Sequence, residues 1–253
     1  MSFKDHFSGH AAVYAAYRPH YPDELFAWLA EKAPGHELVW DCATGNGQAA
    51  VGLASYFERV HATDASADQI AHAERLPNIS YACEPAEASS LLDASVDLLT
   101  VAQALHWFDV ERFFREAQRV LKPEGIIAAW CYEQFEMAPE LNEILDHFYH
   151  QAVGPYWPPE RQILEAGYRT LPWPFEELEP PTLSLEVEWP LAGLLGYLRS
   201  WSATRRFQVA QGFDPVSLIE SELAARWGDP EELRQVKWPL SMRVGRQPAF
   251  SPR

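Results

Sequence analysis

The sequence predicts an α/β protein built on a doubly wound, mostly parallel sheet, and three observations predict it. Short apolar runs alternate with segments of helical spacing from residue 38 to residue 130, a glycine-bearing turn joins the first run to its helix, and two late runs alternate strictly with period two.

Each element follows from a local pattern. Leu25, Phe26, Leu29 and Ala33 form one stripe of a helix that opens at Asp23 and that Pro34-Gly35 ends. Leu38 to Cys42 is a strand, and Ala50, Leu53, Ala54 and Phe57 recur at helical spacing after it. A second strand closes at Asp64, and Ser66 is the natural N-cap of a helix over 66–75. Strands follow at 79–83 and 98–102. Asp109 caps a helix with Val110, Phe113, Phe114, Ala117, Val120 and Leu121 on one face, and Lys122-Pro123-Glu-Gly125 stops it. Ile126 to Trp130, apolar throughout, is a central strand.

Beyond Cys131 the texture changes. Leu141, Ile144, Leu145 and Phe148 mark a helix, and seven prolines then fall between Pro155 and Pro181 among Tyr156, Trp157, Trp173 and Phe175. That stretch is too apolar for a disordered linker and is expected to pack as an irregular cover. Leu183, Leu185, Val187 and Trp189, then Val236, Trp238, Leu240, Met242 and Val244, read as a half-buried antiparallel pair. Between them, Asp214-Pro215 caps a helix carrying Ile219, Leu223 and Trp227.

A chain of 253 residues suits one large domain, or a domain with a sizeable insertion. A net charge of −16 repels nucleic acid and anionic membranes, so neither is expected as a partner. Met1-Ser-Phe-Lys-Asp carries no signal-peptide pattern and no apolar run reaches membrane-spanning length, which gives the expectation of a soluble, cytoplasmic protein. Cys42, Cys83 and Cys131 have no metal-ligand spacing and are expected to be small buried apolar residues, and no His/Asp cluster suggests a metal.

Chemistry is concentrated in Leu38-Val-Trp-Asp-Cys-Ala-Thr-Gly-Asn-Gly-Gln48. Gly45 and Gly47 allow a sharp turn and close approach of a ligand, and the following helix is expected to aim its first N–H groups over that turn. Asp64, at the next strand tip about twenty residues on, is placed to bond ribose hydroxyls. Gly45-Asn-Gly47-Gln-Ala-Ala50 could pass for a dinucleotide fingerprint, so a nicotinamide or flavin enzyme is an alternative. Asp41 weighs against it, because a carboxylate beside the turn repels a pyrophosphate and attracts an ammonium or sulfonium. S-adenosylmethionine carries both cations and no phosphate.

Asp41-Cys-Ala43-Thr-Gly45-Asn-Gly47 resembles the first motif of the class I S-adenosylmethionine-dependent methyltransferases, acid-x-Gly-x-Gly-x-Gly, with Ala43 in place of the first glycine. Gln103-Ala-Leu-His106-Trp107-Phe108 and Arg-Val-Leu-Lys-Pro-x-Gly resemble the trans-aconitate methyltransferase-like subgroup. The resemblance spans nearly the whole chain. It implies a Rossmann-like, seven-stranded mixed sheet with helices on both faces and N- and C-terminal helical covers. The implied organisation is an N-terminal cover over 1–35, a cofactor-binding core over 36–135, a Pro/aromatic cover over 136–181, and final strands over 182–253 with a helical insertion at 191–232.

The resemblance also implies site residues. Asp41, Ala43, Gly45, Asn46, Gly47, Asp64, Ala65, Ala86, Glu87 and Gln103 would bind S-adenosylmethionine and its product S-adenosylhomocysteine. Ala86 and Glu87 would line the adenine, although the family's usual acid falls here on Pro85. Tyr14, Tyr17, Arg18, His106, Trp107, Trp201 and Arg205 would face a small-molecule acceptor, with the chain a monomer or homodimer. A carboxylate acceptor needs an arginine, for which Arg18, Arg205 and Arg206 are candidates, but no general base. A hydroxyl or carbon acid would make His106 the base. A non-catalytic S-adenosylmethionine-binding protein is the other alternative.

Overall fold

The computed structural model describes residues 19–132 and 134–249. Helix α1 (Asp23–Lys32) leads into β1 (Leu38–Cys42), α2 (Gln48–Leu53), β2 (Arg59–Asp64), α3 (Ala67–Ala71) and β3 (Ile79–Cys83). After β4 (Val96–Ala102) come α4 (Val110–Val120), β5 (Leu121–Tyr132), α5 (Pro139–His147) and α6 (Arg161–Glu165). The chain continues through β6 (Glu176–Leu178), β7 (Ser184–Trp189), α7 (Leu191–Arg199), α8 (Ser202–Gln211), α9 (Glu220–Trp227) and β8 (Arg234–Arg246).

Strand order is β3-β2-β1-β4-β5-β8-β6, with β7 also paired to β8. The first five strands are parallel and β8 runs antiparallel to its neighbours. This is the doubly wound mixed sheet that the sequence predicts, with eight strands on seven positions. The last position is shared, because β6 pairs with Val244–Arg246 of β8 and β7 with its Arg234–Pro239 half. Pro180-Pro181 lie between them and have no N–H to donate, which breaks what would be one edge strand.

Alternation along the buried strands divides the core into two layers. Val39, Val60, Leu98, Ile126, Ala128 and Trp130 pack with Leu25, Leu29, Ala50 and Leu53 of α1 and α2. Trp40, Cys42, Leu99, Val101, Ile127 and Ala129 pack with Phe113, Ala117 and Val120 of α4. A third cluster joins α5, α7 and α9 to Trp201, Val236 and Trp238, and forms a separate apolar body beyond the end of β5.

Three local expectations are corrected. The helix after Ser66 ends at Ala71, although Ser66 does cap it by accepting from the Gln69 N–H. The Asp214 helix is split into a 3₁₀ turn over Pro215–Leu218 and α9. Cys83 is exposed, since β3 is the edge strand, whereas Cys42 and Cys131 are buried.

Register places the site. Cys42 pairs with Thr63 and with Val101, so the carboxyl ends of β1, β2 and β4 are level. Chain order reverses at β1, where β2 lies on one side and β4 on the other, and ligands in open α/β sheets bind outside such a reversal.

Candidate active site

The turn after β1 is held by carboxylates on both sides. Asp41 is fully buried; its Oδ1 accepts from Thr100 Oγ1 at 2.8 Å and its Oδ2 from Thr44 Oγ1. The Ala50 N–H, in the first turn of α2, is directed at the same carboxylate. Burial pushes Asp41 up to about 6, against the three hydrogen bonds that lower it, and the Asp64 charge adds to the rise. One N–H of the helix's first turn, that of Ala50, is thus given to the buried acid.

Asp64 sits at the tip of β2 and binds the turn from the other side. Its Oδ2 accepts from the Gly45 N–H at 2.9 Å and its Oδ1 from the Ser66 N–H at 2.8 Å. Thr44 N–H donates to the Thr63 carbonyl at 2.8 Å, which ties the turn to β2 a second time. Ala43, Gly45 and Gly47 all have left-handed φ, at +55°, +58° and +86°. A side chain at the Ala43 position carries strain of roughly 1–2 kcal/mol that a glycine there would not. Space over Gly45 is open: an added Cβ would meet only Gln69 Oε1, at 3.9 Å. Such a cradle, walled by acids and open above a glycine, fits a cationic nucleoside.

Around it lie the other predicted positions. Ala65 is exposed and Asn46 half-buried at the rim. Ala86 is buried, and Glu87 accepts from the Asp109 N–H at 3.0 Å, so it also braces the start of α4. Gln103, at φ +59°, donates its N–H to the Trp130 carbonyl, while its buried Nε2 has no partner among the described residues. An unsatisfied buried amide at the carboxyl end of β4 is a polar contact waiting for a ligand atom.

His106 lies on the 3₁₀ turn Leu105–Trp107, its ring 4.6 Å from Trp107. Its Nδ1 is 3.4 Å from the Tyr168 hydroxyl. Burial, with the Arg161 charge assisting, lowers its pKa to about 4. It is a neutral imidazole of low basicity.

Of the predicted acceptor residues, Trp201 is buried among Phe135, Phe148, Tyr149, Trp157 and Tyr197. Arg205 is exposed on α8 and Arg206 is half-buried there. Tyr14, Tyr17 and Arg18 lie outside the described residues. Sequence reasoning missed Thr44 and Thr100, which brace Asp41, and Tyr168 and Arg161, which flank His106. Thr44 stood in the motif itself; the other three carry no local signal.

Residues 40–129 match a methyltransferase domain model. A Dictyostelium discoideum candidate methyltransferase is 33% identical over 95% of this chain and 94% of its own length. A Saccharomyces cerevisiae protein named as an S-adenosylmethionine-dependent methyltransferase is 30% identical over 55% of this chain, which spans about half (50%) of that relative. The solved structure of a candidate type II methyltransferase from Anaeromyxobacter dehalogenans superposes with a TM-score of 0.88 at 46% identity, over 92% of this chain and 100% of that one.

Proposed function

We propose that this chain, which belongs to the class I S-adenosylmethionine-dependent methyltransferase family, transfers the methyl group to a carboxylate of a small-molecule acceptor. Family membership speaks against the nicotinamide alternative and favours catalysis over cofactor binding alone. S-adenosylmethionine supplies an activated methyl on a sulfonium. The residues fitted to hold it are the Ala43–Gly47 turn, Asp41 and Asp64, with Ala65, Ala86, Glu87 and Gln103 at the flanks.

The observation that carries the acceptor reading is the state of His106. A buried imidazole lowered to about 4, with Nδ1 against Tyr168, is too weak a base to take a proton from an alcohol at neutral pH. A carboxylate is already ionised and nucleophilic, so it needs alignment and exclusion of water, which can supply roughly 7–11 kcal/mol of the barrier. His106 and Trp107 then position the acceptor.

The test is S-adenosylhomocysteine formation with a panel of carboxylic acids, trans-aconitate included, alongside alcohols, amines and carbon acids. Turnover confined to the acids, with methyl esters as products, is expected; turnover confined to alcohols or carbon acids overturns the reading. His106→Gln should keep kcat within about tenfold on a carboxylate, whereas loss of a true general base would lower it roughly 10²–10⁴-fold. With cofactor saturating, the wild-type kcat should show no imidazole inflection between about pH 6 and 8, because His106 is already neutral throughout.

A further inference from the structure

We propose that Arg161 is the anion clamp of the acceptor site, binding one carboxylate of the acceptor end-on through its two terminal nitrogens and so setting selectivity for acids. This rests on the carboxylate reading given above.

Arg161 opens α6 within the proline-rich cover. Its side chain is 19% exposed, and its guanidinium lies 4.5 Å over the Trp157 ring and 5.6 Å from the Tyr149 ring. Nε donates to the Tyr149 hydroxyl at 3.0 Å and faces Glu165 Oε1 at 3.4 Å, while the Tyr149 hydroxyl donates to the same Glu165 oxygen. One edge of the guanidinium is thereby fixed. No described residue accepts from Nη1 or Nη2, and these are the nitrogens that grip a carboxylate bidentately.

A second donor lies on the same platform. Trp157 Nε1 is buried with no acceptor among the described residues, although its ring carries Arg161. A buried indole N–H usually finds a partner, and a ligand oxygen would be one.

The clamp is also beside the chemistry. Helix α6 is pinned to the sheet, where its Leu164 carbonyl accepts from Cys131 Sγ at 3.4 Å, and the chain after it turns through left-handed Gly167 and Tyr168 to bring the Tyr168 hydroxyl to His106. The Arg161 charge is felt at both His106 and Tyr168. In a chain of net charge −16, with Asp41 and Asp64 at the cofactor, an anionic acceptor needs a fixed local cation. Exposed Arg205 offers no such fixed fork.

Trans-aconitate titrated into the S-adenosylhomocysteine-loaded protein, followed by tryptophan fluorescence and paired with steady-state kinetics, tests the assignment. R161A should weaken trans-aconitate binding and raise its KM about 100-fold, with kcat changed only a few-fold. R161K, which keeps the charge without the fork, should recover part of the loss, and R115A, which removes an exposed arginine of α4, should leave trans-aconitate binding unchanged. Unchanged S-adenosylhomocysteine affinity in R161A shows that the fold is intact; should R161A fail to fold, W157F, which removes only the indole donor, should raise KM several-fold. Equal trans-aconitate binding by wild type and by the Arg161 variants overturns the clamp alone. Failure of wild type to bind or methylate any acid of the panel overturns the carboxylate reading and the clamp with it.

Discussion

Asp64→Ala will lower affinity for S-adenosylmethionine by about 100-fold or more, with a smaller loss of stability. The Asp64 carboxylate accepts the Gly45 and Ser66 N–H groups, and its removal leaves both without that partner. Both bonds are half-buried and made to a charged group, so their loss loosens the turn before any ligand contact is considered. A carboxylate has about four lone-pair positions, which allows one group to hold the turn and accept ribose hydroxyls as well. Charged hydrogen bonds of that kind are worth roughly 1.5–3 kcal/mol each, and every 1.4 kcal/mol is tenfold in affinity. Calorimetric titration of the variant reads the loss directly, and an affinity within threefold of wild type would remove Asp64 from the site.

Gly47→Ala will both destabilise the fold and abolish measurable cofactor binding. Gly47 holds φ +86° at the start of α2, and an added Cβ would stand 2.3 Å from Tyr81 Oη and 3.2 Å from its Cζ. Tyr81 cannot swing away freely, because its hydroxyl donates to the Glu74 carbonyl at 2.8 Å. Strain of the left-handed conformation, roughly 1–2 kcal/mol, adds to the clash. A melting temperature lower by several degrees, together with loss of S-adenosylhomocysteine binding, is expected. Gly45→Ala makes the contrast: its space is open, so its stability loss should be the smaller of the two.

The sheet was legible because its signals are local. Alternation in β1 and β5 assigns each residue to one of two layers, and both layers form as the pattern requires. The turn after β1 was legible for the same reason, since Asp41, the two glycines and Asp64 lie within 24 residues of one another. The acceptor side was not. His106 lies more than 40 residues before Tyr149, Arg161 and Tyr168, and a proline-dense cover has no period from which to place a side chain. Arg205 attracted attention because it follows the Ser-Trp-Ser stretch, yet one turn of α8 is enough to present it to solvent. The turn of the Ala50 N–H toward Asp41 was equally hidden, because it depends on the burial of Asp41 in a sheet in which Thr100, 59 residues on, is another of its partners.

The central claim is that negative charge on two neighbouring strand tips holds a phosphate-free cationic nucleoside. Asp41 titrates near 6 because burial disfavours its charge, and a bound cation favours that charge, so binding releases a proton. Wild-type affinity for S-adenosylmethionine should therefore rise with pH up to about 6 and then level off. The most direct measurement is calorimetric titration of S-adenosylmethionine and S-adenosylhomocysteine into the wild type and the Asp41→Asn/Asp64→Asn double variant, which keeps the shapes, removes the charges and leaves one acceptor oxygen on each side chain. The account predicts a loss of affinity for both, larger for the sulfonium donor than for the thioether, and no dependence on pH near 6 in the variant. Equal affinities in the two proteins would contradict it.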